Sequence, residues 1–157
     1  NVRLFTTHHV YTETEMRSRY EIMLENYCKT INIEAATMVD MVYKEILPAV
    51  TSYTKEVCET GMMKKNFCTA ADCSYEENLT MRLSAITSSI SKEVSSLENA
   101  LHESSDITDI TALSFYIKDK VFSKMQKLRA FCDEAEFITA EKFWPYPTYS
   151  DLLFAVR

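Results

Sequence analysis

One glycine in 157 residues, Gly61, closes off most sheet architectures to this chain. Ordinary proteins carry about 7% glycine. Tight hairpins draw on it because their central residues adopt φ > 0. Helix interiors make no such demand. The chain therefore reads as all-α, and its length suits one domain able to bury roughly 70% of its unfolded surface.

Periodicity divides the chain into long helices. Residues 1–11 have no helical period and read as a lead-in. Thr12 and Glu15 form a capping-box pattern. Apolar residues then recur at Met16, Tyr20, Met23, Leu24, Tyr27 and Ile31, in steps of three and four that place one stripe on a helix. The stripe continues through Ile33, Ala36, Met41, Ile46, Val50, Tyr53 and Val57, with a change of phase near Asn32. Pro48 falls inside this run and predicts a kink, because it lacks an N–H and crowds the carbonyl of Lys44. Residues 12–61 are thus a kinked helix pair, with Gly61 as the terminating C′ residue.

Residues 62–73 read as a loop, and Ser74 with Glu77 as a second capping box. The helix over 74–103 carries Leu79, Leu83, Ile86, Ile90, Val94, Leu97 and Leu101, a near-heptad seam suited to antiparallel packing. A third long helix, over 106–141 and starting near Asp106 or Thr108, carries Ile110, Leu113, Ile117, Val121, Met125, Leu128, Cys132 and Ala135. The expected architecture is an antiparallel bundle of long helices, the first kinked, with a C-terminal tail packed on it.

That tail, residues 142–157, holds seven Trp, Tyr, Phe or Leu side chains and two prolines. An exposed patch of that kind invites aggregation. Pro145 and Pro147 hold it extended by disfavouring the α region at Trp144 and Tyr146. It reads as a clasp across a hydrophobic groove in its own domain or a neighbour, with Trp144, Tyr146, Tyr149, Leu153 and Phe154 buried.

The net charge of −6 and pI near 5.1 argue against nucleic acid, which needs clustered Lys and Arg. No apolar run reaches the roughly 18 residues that span a bilayer, and no signal peptide is visible. Opening at Asn1 without a methionine, the chain looks like a piece of a longer protein. Its five scattered cysteines fit a reducing cytosol better than a disulfide scaffold. Cys68 and Cys73 lack a second Cys or His pair to complete a zinc site.

No self-contained active site is visible. His8 and His9 are adjacent and point apart, and His102 stands near a helix end. Glu76/Glu77 and Asp133/Glu134 read as solvated helical pairs. One glycine cannot build a phosphate loop. No catalytic, cofactor or metal ligand is assigned. Arg17 and Arg19 have two readings: surface i,i+4 pairs such as Arg17 with Glu21, or interdomain forks onto a carboxylate of an upstream domain.

Two blocks resemble the C-terminal region of type III glutamine synthetases. The first runs from Glu15 to about Tyr53, including Ser18-Arg19-Tyr20-Glu21, Leu24-Glu25-Asn26-Tyr27 and Ile46-Leu47-Pro48-Ala49-Val50. The second includes Leu128-Arg129, Asp133-Glu134-Ala135-Glu136 and the Trp144 to Phe154 tail. Residues 62–110 carry no recognised motif. The resemblance implies a cytoplasmic, homo-oligomeric parent that joins glutamate and ammonia through γ-glutamyl phosphate, using ATP and Mg or Mn. The family's ligands for these lie upstream, so this chain would contribute structure or oligomerisation, with an upstream catalytic domain and other subunits as partners. On that reading Arg17, Arg19, Pro48 and the tail residues Trp144, Pro145, Tyr146, Pro147, Tyr149, Leu153 and Phe154 serve structural or interdomain roles. The rival is a helical sensory or protein-interaction module unrelated to nitrogen assimilation. A simple bundle of that kind has no need of an aromatic clasp.

Overall fold

Three helical rods carry the core. In a computed structural model of the chain, residues 2–147 and 149–154 are described, the side chains at positions 149 and 150 excepted. A short helix, α1 (Val2–Thr7), precedes the first rod, α2 (Glu13–Met41), a π segment (Val42–Ile46) and α3 (Leu47–Phe67). The second rod is α4 (Ser74–Ser104). The third is α5 (Ile110–Tyr116), a π segment (Ile117–Phe122) and α6 (Ser123–Ile138). A 3₁₀ turn (Glu141–Phe143) and α7 (Tyr149–Phe154) follow. Among the described residues there is no strand.

The expected bundle is what forms. Helix α4 packs against α3 and α6, and α2 packs against α4 and α5. The near-heptad seam is its central face: Leu83, Ile90, Val94 and Leu97 are fully buried. They meet Ile117, Val121 and Leu128 of the third rod and Val42 and Val50 of the first. Fully burying such a side chain contributes about 1.5–3 kcal/mol.

Start signals explain where the rods begin. Glu15 N–H donates to Thr12 Oγ1 at 3.2 Å, and Thr12 N–H donates to Glu15 Oε2 at 2.8 Å, closing the capping box. The third rod starts at Ile110 rather than at Asp106 or Thr108. The carboxylate of Asp109 accepts from Ala112 N–H at 2.7 Å and so fixes the first turn.

Four expectations need correction. The lead-in contains α1, whose ends escape a periodicity test because none of its residues is buried. The loop at 62–73 is shorter, because α3 continues through Gly61 to Phe67. Gly61 is not a C′ residue. It lies inside the helix, where an added Cβ would sit 3.3 Å from Glu76 Cβ, so its lack of a side chain serves the close approach of α3 to α4. The capping box at Ser74/Glu77 does not form: Ser74 N–H donates to Asp72 Oδ1 at 2.9 Å, and Glu77 instead pairs with Lys65.

The stripe along the first rod also divides differently. In α2 the buried line is Cys28 and Ala35, leading to Val42, while Ile33, Ala36 and Met41 are exposed. Small side chains at 28 and 35 let neighbouring helices approach, and Ile33 and Met41 line an open groove instead. Tyr20 and Met23 are 56% and 72% exposed, on the first turns of α2, where only α1 packs through Tyr11 and Arg19 among the contacts described.

Candidate functional site

Four of the residues singled out in the sequence, Trp144, Pro145, Tyr146 and Pro147, belong to one feature, the docking of the segment after α6. Thr139 ends that helix in an extended conformation, and the chain turns back through the 3₁₀ turn onto α3. Lys142 Nζ lies 2.6 Å from Glu56 Oε1 of α3, and the Phe143 ring sits 5.4 Å from the ring of Tyr53. Trp144 is extended, at φ −72° and ψ 128°, as the proline after it requires.

Trp144 and Tyr146 then pack edge to face, 6.3 Å between ring centres, against the core. Both are half-buried, while Pro145 between them and Pro147 after them are exposed. Their role is to hold the extended backbone that turns alternate rings inward. Tyr146 lies near Glu45 of the first π segment. Burial first, and that carboxylate second, push its hydroxyl up to about 12. Among the described residues neither Trp144 Nε1 nor Tyr146 Oη has a hydrogen-bond partner of good geometry.

These rings form part of the wall of a groove of about 880 Å³ between α2 and α6. Ile33, Met38, Met41, Phe122 and Met125 give it an apolar floor. Cys132 also lines it, but burial pushes its thiol up to about 11, away from the reactive thiolate. Among the described residues no three His, Cys, Asp or Glu side chains are placed to hold a metal ion.

The tail docks only in part. Leu153 and Phe154, expected to be buried, are 53% and 81% exposed on α7. The clasp holds up to Tyr146, where the prolines keep the chain extended, and in α7 beyond them Leu152, Leu153 and Phe154 are exposed. The side chain of Tyr149 lies outside the described residues.

Pro48, also exposed, is absorbed without ending the helix. It lies two residues past the end of the π segment, where Leu47 N–H reaches back to the Val42 carbonyl, five residues away, in a wider turn. Arg17 pairs backwards with Glu13 at 2.7 Å, not with Glu21. Arg19 stacks over the Tyr11 ring at 4.5 Å, and Tyr11 in turn faces Phe5 of α1 at 6.0 Å. Glu76, read as solvated, is 7% exposed and bound to Lys64 at 2.5 Å.

Sequence reasoning missed Tyr53, Glu56 and Glu45 as the dock for the tail. Their place on the first rod is set by a non-local contact that carries no spacing signal. Phe5, Tyr11 and Arg19 were missed as a ladder for the same reason.

Comparison with known proteins decides the family. A family profile described as the glutamine synthetase C-terminal domain matches residues 1–65. Over all 157 residues the chain is 33% identical to a glutamine synthetase of Butyrivibrio fibrisolvens, covering the whole chain and 22% of that protein. The chain belongs with the C-terminal domains of glutamine synthetases. A type-3 glutamine synthetase of Dictyostelium discoideum is 28% identical over 158 residues, covering 98% of the chain and 22% of the relative. A glutamine synthetase of Bacteroides fragilis is 24% identical over 155 residues, covering 92% of the chain and 20% of the relative. The chain thus spans about a fifth of the length of these curated relatives. The alternative of an unrelated sensory module finds no support among them. The glutamine synthetase profile ends within α3, whereas the Butyrivibrio fibrisolvens relative aligns through the aromatic tail.

Proposed function

We propose that this glutamine synthetase domain is the helical C-terminal part of a type III enzyme that joins glutamate and ammonia at the expense of ATP. The observation that carries this reading is the 33% identity along all 157 residues to about a fifth of a glutamine synthetase. On this reading ATP and Mg or Mn bind upstream, and the bundle supplies packing between domains or between subunits of a homo-oligomer. On this reading the parent enzyme acts in the cytoplasm; among the described residues no helix is long and apolar enough to cross a membrane.

The test compares two proteins. The purified 157-residue chain is expected to be helical by circular dichroism and to release no phosphate with ATP, glutamate, ammonia and Mg or Mn. The complete polypeptide that bears it is expected to make glutamine under the same conditions. Phosphate release by the short chain overturns the structural role. A complete polypeptide that makes no glutamine overturns the ligase reading.

A further inference from the structure

The first turns of α2 carry a core pattern with no core over it. Met16, Tyr20, Met23 and Tyr27 follow at steps of four, three and four, the spacing that lines one face of a helix. Farther along the same rod, comparable spacing is buried at Val42, Ile46 and Val50. Here Tyr20, Met23 and Tyr27 are 56%, 72% and 38% exposed. A soluble chain has no reason to repeat large apolar side chains at helical period on a solvated face. Contiguous patches of this kind mark interaction surfaces.

Helix α1 adds a second observation. None of its residues is buried, and Val2 and Leu4 are 42% and 58% exposed. Six residues are too few to form a stable helix alone. Yet α1 is tied to α2 by the ladder of Phe5, Tyr11 and Arg19, through a tight turn in which His9 takes φ 53°. A non-glycine residue in that region is uncommon and marks a constrained turn. The ladder positions an element that shields nothing within the described chain.

Charge narrows the occupant. Glu13 is neutralised by Arg17 and Glu25 by Lys29 along this helix. Arg19 lies over the Tyr11 ring and close enough to Glu15 to favour its charged form, so both its neighbours are on its own chain. The face fits an apolar, uncharged surface better than an acidic one. Length supplies the source of that surface. About four-fifths of each relative lies outside the matched region.

We infer that Tyr20, Met23 and Tyr27, with Val2 and Leu4 of α1, form the surface on which the remainder of the same polypeptide docks. The occupant is an apolar face of its upstream portion. This inference rests on the proposed place of the chain in a larger synthetase, and it names the contact surface within that reading. Within the chain Arg19 over the Tyr11 ring ties α1 to α2, and Arg17 pairs with Glu13 inside α2.

Hydrogen exchange tests it. Amides over residues 13–27 are expected to exchange at least tenfold more slowly in the complete polypeptide than in the 157-residue chain. Met23→Lys is expected to remove most of that protection while leaving the Tm of the 157-residue chain unchanged. Equal exchange rates in the two proteins overturn the inference. So does a 157-residue chain that sediments as a dimer and becomes monomeric on Met23→Lys, since the occupant is then a second copy. A complete polypeptide that protects residues 13–27 but makes no glutamine keeps this surface and removes the ligase reading. One that makes glutamine and leaves them unprotected does the reverse.

Discussion

Gly61 of α3 and Glu76 of α4 face each other so closely that a methyl group on Gly61 would lie 3.3 Å from Glu76 Cβ. Glycine here trades helix propensity, about 1 kcal/mol against alanine, for the close approach of two helices. Gly61→Ala sets that propensity gain against a slightly tight contact and is expected to change stability by less than about 1 kcal/mol. Gly61→Leu cannot be absorbed so cheaply. It should cost about 1–3 kcal/mol by overpacking, read as a lower denaturant midpoint at unchanged slope. A neutral Gly61→Leu would show that the helices are free to part.

The same contact makes the fold sensitive to acid. Glu76 is buried against Lys64, whose hydrogen bond holds the carboxyl below its ordinary value near 4.5. The unfolded chain takes up a proton there before the folded one does. The stabilisation is therefore complete above about 4.5 and is lost as pH falls from there through the lower, folded value. Hydrogen-bonded Glu15 and Asp72 are shifted in the same direction and add to the effect. Denaturation followed between pH 7 and 3 should show falling stability below about 4.5. Glu76→Gln should flatten that fall, and a profile identical to the parent's would assign the acid response elsewhere.

The tail divides into a part that holds the fold and a part that does not. Leu152, Leu153 and Phe154 are 64%, 53% and 81% exposed, so deleting residues 149–157 is expected to leave the Tm nearly unchanged. Deleting residues 142–157 also removes Phe143, Trp144, Tyr146 and the Lys142–Glu56 pair. With rings only half-buried, the loss should be about 3 kcal/mol, below the sum for full burial. Equal Tm values for the two truncations would contradict this division.

How far the sequence foretold the structure depends on whether a contact is local. The seam from Leu79 to Leu97 was legible because seven-residue recurrence on one helix determines which face is buried. The Thr12 cap was legible because both partners lie within four residues. Gly61 was misread because a chain-terminating glycine and a close-approach glycine look alike until the facing residue, Glu76, is known. The tail showed as a clasp through its composition. Its dock at Tyr53, Glu56 and Glu45 lay some ninety residues earlier in the chain, beyond any spacing rule. The exposed face of α2 carries the same periodicity as a buried one, so sequence alone could not separate the two.

Emission from Trp144 tests the central structural claim, that the aromatic clasp docks within its own bundle. Trp144 is the only tryptophan, so the signal is unambiguous. In the folded 157-residue chain, at concentrations where it is monomeric, emission should be blue-shifted and only slowly quenched by iodide. Unfolding should shift it red in one step with the loss of helix. A red-shifted, freely quenched signal from the fully helical monomer would contradict docking in cis and leave the groove without its clasp.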